Sequence, residues 1–391
     1  MKILHISPAF PPSEGYGGGP VVAYELCKGL VKRGHEVTVY TTDANRNSRL
    51  ADGMTNVEGI EVHYFKTLSN SFAYQQKIFI SPGMDSAIQN NVNKFDVVHL
   101  HDYRTFQNIA LFRAWKKWKI PYVLQPHGTI STHTGKMPIK YLFDLIIGNQ
   151  LLKNSSKILV LNESEGKHCG TEIPDRKLVV LPNGIDFQKY QNIPEYGLFR
   201  KKIGIESDKK IILYLGRIHK SKGVDLLLYA YGKKKQTNSE WAKITLVIAG
   251  PDDGYVHALK KLAVSLNIED DVQFTGFLSH EEKLSAFTDA SVFITPVFFG
   301  FPLTFLESMI CGCPIITTNK GDTLNWLDGE IGLVSDYSDT GIAEKIQIIL
   351  NDESVRSKFS TAAKNQVIQF DWKNIVIELE KIYRDVAEGC Q

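Results

Sequence analysis

Apolar residues along the chain form two kinds of pattern: short continuous runs, and longer stretches in which they recur every three or four positions. The first run is KILHISPAF (residues 2–10); PVVAYELCKGLVKRG (20–34) follows with helical spacing and stops at Gly34, and HEVTVYTT (35–42) is a run again. A short apolar run bounded by turn residues is typical of a buried strand, and the longer spacing is typical of an amphipathic helix. The three segments predict a strand, a helix and a strand, which together make a βαβ unit.

The same alternation continues and then restarts. Further apolar runs, separated by helix-length segments, lead to about residue 187, and they are VEGIEVHYF, FDVVHLH, PYVLQPHG, SKILVLN and KLVVLPNG. From KKIILYLGR (209–217) onward, a second series of runs alternates with helical segments such as VDLLLYAYGKK and PLTFLESMICG. Alternating strands and helices favour parallel, doubly wound sheets, so the fold class is α/β. We expect two domains, residues 1–187 and 188–370, joined near 182–197, where Pro, Gly and polar residues accumulate.

The composition fits two soluble globular domains. The chain has 391 residues, of which 43% are hydrophobic and 23% charged. The five cysteines include no CxxC pair, which argues against a disulfide framework and a zinc site. The N-terminal MKILHISPAFPPSEG lacks the apolar run of a signal peptide, and no segment approaches the roughly 18 apolar residues of a membrane span. We therefore expect a cytoplasmic protein that is neither secreted by the usual route nor integral to a membrane.

The formal net charge of +2 conceals a local basic excess, since residues 80–160 hold ten Lys or Arg against four acidic residues. At its centre, in RAWKKWKIPY (113–122), Trp115 and Trp118 alternate with three lysines at helical spacing. Such a segment can lie on an anionic membrane surface, which would make the protein peripheral at the inner face of the membrane. An ordinary helix with both tryptophans packed inward is the alternative. The excess is small and no binding motif accompanies it, which argues against nucleic acid.

A glycine-rich stretch, EGYGGGP (14–20), lies between the first predicted strand and the first predicted helix. In open α/β sheets the ligand crevice lies beyond the carboxyl ends of the strands, and free N–H groups at a helix start favour an anion. Gly18 and Gly19 are therefore candidates for binding an anionic donor, and a flexible turn is the alternative. Pro20 stands where the last glycine of GxGxxG would be, which argues against NAD.

Two cations follow the first strand of the second series. LGRIHKSKG (215–223) places Arg217 and Lys222 five residues apart across a predicted strand-to-helix loop. A guanidinium can bind a phosphate through two hydrogen bonds and an ammonium acts as a point charge, so the pair suits a diphosphate. Either residue alone would more often be a surface cation.

The segment FGFPLTFLE (299–307) predicts a phosphate-binding helix start in the same half of the chain. Leu303 and Thr304 lie at the helix N-terminus, where unpaired N–H groups favour a phosphate, and Pro302 is tolerated in that first turn. Glu307 lies one turn further, where a carboxylate can accept two hydrogen bonds from vicinal hydroxyls. As a single residue, it would more often be a solvated helix acid.

In combination, these motifs resemble the family-4 retaining glycosyltransferases, also called glycosyl transferase group 1, which have the GT-B fold. The resemblance covers nearly the whole chain and rests on the glycine-rich loop (17–19), QPHG (125–128), PNGID (182–186), GRxxxxKG (216–223), IAGPD (248–252), FGFPLTFLE (299–307) and FDWKNIVIELEKIY (370–383). It implies two Rossmann-like domains that face a central cleft, with the last helix, within residues 371–391, returning to the first domain.

The resemblance also implies roles for individual residues. Arg217 and Lys222 would hold the diphosphate and act in catalysis, and His127 would contact a hydroxyl of the transferred sugar. The donor-binding set would be Gly18, Gly19, Phe299, Gly300, Phe301, Leu303, Thr304 and Glu307, with Glu307 on the ribose. His101 and Asp102, in FDVVHLHDY (95–103), would lie on the acceptor side together with the basic segment. Phe299 is the departure, since the family has a glutamate there that contacts the donor sugar.

The expected chemistry needs few protein groups. In retaining enzymes of this family the leaving diphosphate is thought to accept the proton of the acceptor, so that no protein nucleophile is required. The sequence contains no HExxH, no GxSxG and no convincing metal cluster. Arg217 and Lys222 would take the place of a divalent metal. Their stabilisation of the charge on the diphosphate would be the main contribution to catalysis. We therefore expect a hexosyltransferase that needs neither a metal nor a cofactor.

The expected substrates are a UDP-sugar or a GDP-sugar and a glycan or lipid-linked acceptor, in the assembly of cell-surface polysaccharide, glycolipid or glycoprotein. Two alternatives stay open. A nucleotide-sugar epimerase of the same architecture would use a similar diphosphate site, although it would require carboxylates at the sugar, and Phe299 removes one. A non-catalytic subunit that keeps the fold is the other alternative, motivated by the same phenylalanine.

Overall fold

The computed structural model describes residues 1–46, 48–131 and 137–389. The chain divides into two compact units, Met1–Gly184 with Trp372–Gln391 as the first, and Ile185–Asp371 as the second. The division falls inside the PNGID segment, where the sequence places the joint between the domains.

The first unit contains an eight-stranded sheet. Its strands are β1 (Lys2–Ile6), β2 (Glu36–Thr42), β3 (Gly53–Val57), β4 (Ile60–Phe65), β5 (Val97–His101), β6 (Tyr122–Gln125), β7 (Lys157–Val160) and β8 (Leu178–Val180). They lie in the order β3-β4-β2-β1-β5-β6-β7-β8, and only β3 is antiparallel to its neighbour. The apolar pattern does not predict β3, because its residues GMTNV are almost all exposed.

The second unit contains six parallel strands. They are β9 (Lys210–Leu215), β10 (Ile244–Ala249), β11 (Val272–Gly276), β12 (Val292–Thr295), β13 (Ile315–Thr318) and β14 (Gly332–Ser335), in the order β11-β10-β9-β12-β13-β14. All six residues of β10, ITLVIA, are buried. A strand that helices cover on both faces reads as a continuous apolar run, which explains why these strands are visible in the sequence.

Helices connect the strands of both sheets. In chain order they are α1 (Gly19–Lys32), α2 (Asn70–Gln76), α3 (Pro82–Asn91), α4 (Phe106–Trp118), α5 (Met137–Phe143), α6 (Asn149–Asn154), α7 (Glu163–Lys167), α8 (Leu198–Lys202), α9 (Val224–Thr237), α10 (Val256–Ser265), α11 (His280–Asp289), α12 (Leu303–Cys311), α13 (Asp339–Asn351), α14 (Glu353–Gln366) and α15 (Trp372–Glu388). A π-helical stretch, Asp144–Gly148, joins α5 to α6. Among the helices that could be searched, none is both long enough and apolar enough to cross a membrane.

The strand orders locate the candidate sites. In each sheet, successive strands are added first toward one edge and then toward the other. This topological switch point lies between β1 and β5 in the first unit and between β9 and β12 in the second. Ligands of open α/β sheets bind outside the carboxyl ends of the strands at such a point. The loops that follow these four strands therefore carry the residues of interest. Two Rossmann-like sheets confirm the predicted fold class.

The last helix of the chain packs on the first unit, against α1. The approach is close at Gly29, where a Cβ atom would lie 2.4 Å from Cγ2 of Val376. Glu380 is buried and forms ion pairs with Arg33 and Arg384, which lower the pKa of its carboxyl to about 2. Leu379 of α15 is also buried. The helix α15 is thus part of the core of the first unit.

Candidate functional site

Arg217 and Lys222 lie in the loop between β9 and α9. Lys222 ends a short 3-10 turn, and Gly223 follows with a φ of 70°, a conformation that favours glycine. A Cβ atom on Gly223 would lie 3.1 Å from Cβ of Pro296, which directly follows β12. The loop after β9 therefore contacts the chain after β12, at the point where the direction of the second sheet reverses.

The cations in this loop have few compensating charges. Lys222 is half-buried, and its ammonium group makes no hydrogen bond or ion pair within residues 1–46, 48–131 and 137–389. Burial, together with the nearby Arg217, lowers the pKa of Lys222 to about 8. Nη1 of Arg217 lies 2.8 Å from Oδ2 of Asp253, in an ion pair whose side chains are both largely exposed. Two cations beside one exposed carboxylate form an environment that favours an anion.

The N-terminus of α12 is open to a ligand. Pro302 precedes its first turn, and no described side chain caps the helix. The first N–H groups of a helix have no partner within the helix, and the helix dipole makes this end positive. Leu303 and Thr304, which carry such groups, are half-buried. The helix start therefore fits the phosphate-binding role predicted for its backbone.

The loop before α12 is held in place by the segment that follows β13. The N–H of Gly300 donates to Oδ2 of Asp322 at 2.6 Å, and the N–H of Asp322 donates to the carbonyl of Phe298 at 3.0 Å. A Cβ atom on Gly321 would lie 2.3 Å from that carbonyl oxygen, so only glycine fits there. The sequence motifs assign no role to Asp322. The available signal is its position four residues after the apolar run CPIITT (313–318), which has the pattern of a strand.

The three phenylalanines of this loop lie in different surroundings. Phe298 packs on Phe305, with ring centroids 4.9 Å apart. Phe301 is 2% exposed and lies 5.2 Å from the ring of Phe370, so only its backbone is available for contact with a donor. Phe299 is half-buried and pairs with no other described aromatic ring. Of the three side chains, Phe299 is the one that core packing does not explain.

Glu307, on the second turn of α12, is held by two residues that the sequence analysis missed. Only 6% of Glu307 is exposed, and its Oε1 forms an ion pair with Lys283 of α11 and accepts a hydrogen bond from the hydroxyl of Tyr190 at 3.3 Å. Burial and the Glu307 charge raise the pKa of Tyr190. Oε2 has no partner in the part of the chain that the structure describes. One carboxylate oxygen is thus fixed and the other is left for a ligand.

The first unit brings Gly18, Gly19 and Asp102 together. Gly18 is the N-cap of α1 and Gly19 its first residue, without a capping side chain among the described residues. A Cβ atom on Gly19 would lie 4.0 Å from Oδ1 of Asp102, which follows β5. Asp102 has a φ of 62°, and burial raises the pKa of its carboxyl to about 7. The helix start predicted to bind an anion therefore adjoins an acid that titrates near neutral pH.

The loop after β6 presents His127. His127 and Gly128 have φ values of 54° and 80°, two left-handed residues in a row. The carboxylate of Glu165, which is fully buried at the start of α7, accepts hydrogen bonds from the N–H of Gly128 at 2.5 Å and of Leu161 at 2.7 Å. Glu165 thereby fixes a loop whose conformation most residues avoid. Nothing in the sequence pattern pointed to this glutamate.

His127 is joined to a line of hydrogen-bonded side chains that we call the histidine chain, made of His127, His101, His5, Tyr383 and His99. Nε2 of His127 lies 2.8 Å from Nδ1 of His101, and Nε2 of His101 lies 2.9 Å from Nδ1 of His5. The hydroxyl of Tyr383, on α15, lies 3.3 Å from Nε2 of His5 and 2.5 Å from Nδ1 of His99. His101 was predicted on the acceptor side, and the structure engages both of its ring nitrogens with other histidines.

The sequence motifs predict no metal cluster, yet the structure brings three histidines together. One ring nitrogen from each of His5, His99 and His101 lies within 4.8 Å of the others, and all three residues are buried. No local pattern indicates the group, because β1 and β5 are far apart along the chain and adjacent in the sheet. The alternation of VHLH in β5, which places two histidines on one face, was the available signal. Nδ1 of His5 and Nε2 of His101 are already hydrogen-bonded to each other.

The basic segment at the end of α4 does not present a free apolar face. Trp115 packs against the core of the first unit, and Nε1 of Trp118, which is 38% exposed, donates to the carbonyl of Gln89. The ammonium of Lys119 lies 3.9 Å from the ring centroid of Trp115. Large exposed apolar side chains lie instead on α5 and the π-helical stretch, at 55–71% exposure, and they are Ile139, Tyr141, Leu142, Leu145 and Ile146. We call these five residues the apolar surface.

Comparisons with known proteins cover both units. The family described as Glycosyltransferase Family 4 matches residues 16–189, and the one described as Glycosyl transferases group 1 matches residues 197–366. An uncharacterized glycosyltransferase of Methanocaldococcus jannaschii is 28% identical over 99% of both chains. The D-inositol 3-phosphate glycosyltransferase of Stackebrandtia nassauensis is 26% identical over 99% of this chain and 91% of its own. The solved structure of Anabaena HepE with UDP and glucose has a TM-score of 0.77 at 16% identity, over 98% of this chain and 100% of that one.

Proposed function

Because the chain belongs to the family 4, group 1 glycosyltransferases and has their GT-B fold, we propose that it is a retaining, metal-independent hexosyltransferase. The donor would be a nucleoside-diphosphate sugar and the acceptor a hydroxyl group. Sugar transfer follows from the family, whereas the stereochemistry, the metal independence and the substrates are the proposal.

The observation that carries the proposal is the pair of cations in the loop after β9, the strand that neighbours β12, whose loop leads to the start of α12. Lys222 and Arg217 lie after β9, the helix start lies after β12, and Gly223 contacts Pro296 between them. A diphosphate has two charged groups, so one phosphate can bind the cations and the other the N–H groups of Leu303 and Thr304. Burial and the nearby Arg217 lower the pKa of Lys222 to about 8, which supports this role because a bound phosphate would favour the charged ammonium.

The same residues suit a mechanism in which the diphosphate departs and takes up the proton of the acceptor. Negative charge grows on the leaving phosphate in the transition state, and fixed cations that face it stabilise that charge without reorganising. Arg217 and Lys222 would supply this stabilisation where other enzymes use a divalent metal ion. The ribose would bind Glu307, whose Oε1 is fixed by Lys283 and Tyr190 and whose Oε2 would accept hydrogen bonds from its hydroxyls.

UDP is our first choice of nucleotide, because HepE, which shares the fold, was solved with UDP and glucose. The test is a binding titration of the protein with UDP, GDP and their hexose conjugates. A bound donor stabilises the folded state by RT ln(1 + [L]/Kd), so a thermal-shift screen can rank them first. We expect one nucleotide series to bind, with the free diphosphate binding as well. Binding of neither series would count against the proposed donor site.

The proposed acceptor is a glycan or a lipid-linked sugar, in the assembly of cell-surface polysaccharide, glycolipid or glycoprotein. The apolar surface supports contact with a lipid bilayer, since five large apolar side chains on one short segment remain exposed. The excess of basic residues in 80–160 complements an anionic bilayer. We therefore propose peripheral attachment through the apolar surface rather than through residues 113–119.

The two alternatives predict different products from the same donor. An epimerase would convert the donor sugar without an acceptor and without releasing the nucleoside diphosphate. A non-catalytic subunit would bind nucleotide and release none, whereas the proposed enzyme releases the diphosphate only as the acceptor is glycosylated. The presence of Arg217, Lys222 and Glu307 in one unit, together with a start of α12 that no described side chain caps, favours the enzyme.

A further inference from the structure

Side chains of the first unit form an unbranched line of hydrogen bonds that ends at His127. The interior members, His101, His5 and Tyr383, each bond to two neighbours in the histidine chain. His5 and Tyr383 are fully buried and His101 is 1% exposed, whereas His127 is half-buried. Nδ1 of His127 makes no hydrogen bond to any described residue. The line therefore begins in the core and ends on a nitrogen that a ligand can reach.

The line can hold its protons in only two arrangements. Burial lowers the pKa of His5 and of His127 to about 3 and that of His101 well below its ordinary value, so all three rings are neutral near pH 7. A neutral imidazole has one N–H, so a ring bonded at both nitrogens donates at one and accepts at the other. Each donor requires an acceptor as its neighbour. All the bonds therefore point from His127 inward, or all of them point outward toward His127.

The surroundings of His99, at the inner end of the line, favour one of the two arrangements. Nε2 of His99 and Oε1 of Gln125 are buried, and neither atom has a hydrogen-bond partner in the described ranges. The register of β5 and β6 places Gln125 opposite His101, on the face of the sheet that also carries His99. Burial lowers the pKa of His99, and the Gln125 side chain raises it, as an acceptor would. If Nε2 of His99 carries a proton, it can donate a hydrogen bond to Oε1 of Gln125. If it does not, two acceptor atoms face each other without a hydrogen bond. With Nε2 of His99 protonated, its Nδ1 accepts from Tyr383, and every bond points inward from His127.

We propose that Tyr383, acting through His5 and His101, is a positioning residue that holds His127 as the Nε2-protonated tautomer, so that Nδ1 of His127 accepts a hydrogen bond from a hydroxyl of the transferred sugar. The contact with the sugar hydroxyl rests on the proposed function, whereas the tautomer of His127 does not depend on it. Which nitrogen of a histidine is protonated is set by the bond at its other nitrogen, and here that bond is extended through the core to α15. The hydroxyl of Tyr383 relays the direction, because it donates to His99 while it accepts from His5.

The tautomer of His127 can be measured without substrate. In long-range ¹H–¹⁵N correlation spectra of protein with ¹⁵N-labelled histidine, protonated and unprotonated ring nitrogens resonate far apart, and the His127 signals are those lost in His127→Gln. We expect an unprotonated Nδ1 and a protonated Nε2 in the natural protein. Tyr383→Phe should give a mixture of tautomers at His127, because the phenyl ring can neither accept from His5 nor donate to His99. A protonated Nδ1 in the natural protein overturns the proposal before any variant is made.

Kinetics and a matched control complete the test. Tyr383→Phe should lower kcat/KM for the donor sugar by about tenfold, as expected for a lost hydrogen bond to the sugar. Its Kd for the bare nucleoside diphosphate should not change. Tyr122→Phe is the control, because Tyr122 is fully buried in the same unit and its hydroxyl donates to the carbonyl of Leu151 at 2.5 Å, outside the histidine chain. An equal loss in both variants, or an unchanged His127 spectrum in Tyr383→Phe, refutes the positioning role. If the tautomer shifts as expected but no nucleotide sugar is turned over, the proposed function is wrong. The positioning of the His127 tautomer by Tyr383 is then still supported.

Discussion

Nη1 of Arg217 lies 2.8 Å from Oδ2 of Asp253, so the guanidinium that we assign to the donor diphosphate is held by a carboxylate of its own unit. The diphosphate must replace this carboxylate or share the guanidinium with it. Both side chains are largely exposed, and such ion pairs are weak. The ion pair with Asp253 therefore orients Arg217 and should weaken donor binding only slightly.

Asp253→Asn should tighten the binding of the nucleoside diphosphate about two- to fivefold at low salt, because the competing carboxylate is neutralised. The gain should shrink at high ionic strength. Titration calorimetry at two salt concentrations measures both effects. Asp208→Asn makes the same charge change at an exposed position of the second unit and is the control. Equal gains in the two variants would mean a general charge effect and not competition at Arg217.

Lys222→Ala should lower turnover on the order of a hundredfold, because a cation that faces the charge of the leaving diphosphate is lost. Folding should be retained, since the loop leaves the ammonium of Lys222 without an ion pair in the described residues. Initial rates of diphosphate release give the effect, and thermal unfolding gives the control. Lys220→Ala changes an exposed lysine of the same turn and should keep the natural rate. Near-natural turnover by Lys222→Ala would remove the diphosphate site from this loop.

Nucleoside diphosphate binding should weaken as the pH rises above about 8. The pKa of Lys222 is lowered to about 8 in the free protein, and a bound diphosphate favours the charged ammonium, so binding takes up a proton above that pH. Above pH 8 the affinity should fall by up to about tenfold per pH unit. Below pH 8 the protonation of Lys222 should not change the affinity. The phosphate itself is fully ionised in this range, because its second pKa is about 6.

Lys222→Arg separates this residue from other groups that titrate in the same range. Arginine stays charged, so this variant should bind with little loss between about pH 8 and 10. Titration calorimetry across that range makes the comparison. If both proteins lose affinity in parallel, another group is responsible.

Glu307 and Phe299 should affect different parts of the donor. Glu307→Gln keeps the size of the side chain and should weaken binding of the bare nucleoside diphosphate by about 1 to 3 kcal/mol, because hydrogen bonds from the ribose to a charged acceptor are lost. Phe299→Glu introduces the carboxylate that the family resemblance implies at this position and should change kcat or the preferred donor sugar, with little effect on the bare nucleotide. A natural affinity in Glu307→Gln would mean that the ribose binds elsewhere.

The apolar surface should govern binding to vesicles that contain anionic lipid. Changing Ile139, Leu142 and Ile146 together to Ser should reduce co-sedimentation at least tenfold, because each buried apolar side chain contributes roughly 1.5 kcal/mol or more. The matched variant changes Lys116, Lys117 and Lys119 to Gln and should have a small effect. A loss in the lysine variant alone would favour the end of α4. Unchanged binding in both would exclude these two segments as membrane contacts.

The sequence predicted the parts of the fold that rest on local patterns. Runs such as KKIILYLGR and AKITLVIAG form the buried strands β9 and β10, because parallel strands covered on both faces must be apolar throughout. The strand β3 was missed because it lies at a sheet edge with exposed residues, where pairing with β4 and a two-residue turn at Glu58 and Gly59 decide the structure.

The positions of the candidate site residues were predictable where a residue adjoins a strand end. Arg217, Lys222 and the start of α12 follow β9 and β12, and the motifs around them are contiguous in the sequence. Partners from distant segments were not predictable, because no local pattern relates Lys283 to Glu307 or Tyr383 to His5. Burial also decides roles that a motif leaves open, as it does for Phe301, which is part of the core.

The packing of α15 on α1 has a consequence for biosynthesis. Val376, Leu379 and Tyr383 are buried in the first unit, yet the ribosome makes them only after the whole of Ile185–Asp371. At 5 to 20 residues per second this takes roughly 10 to 40 s, during which the nascent first unit has an uncovered apolar face beside α1. The second unit has no such delay, because its residues are contiguous. The half of the protein that is translated first is therefore the half that is completed last.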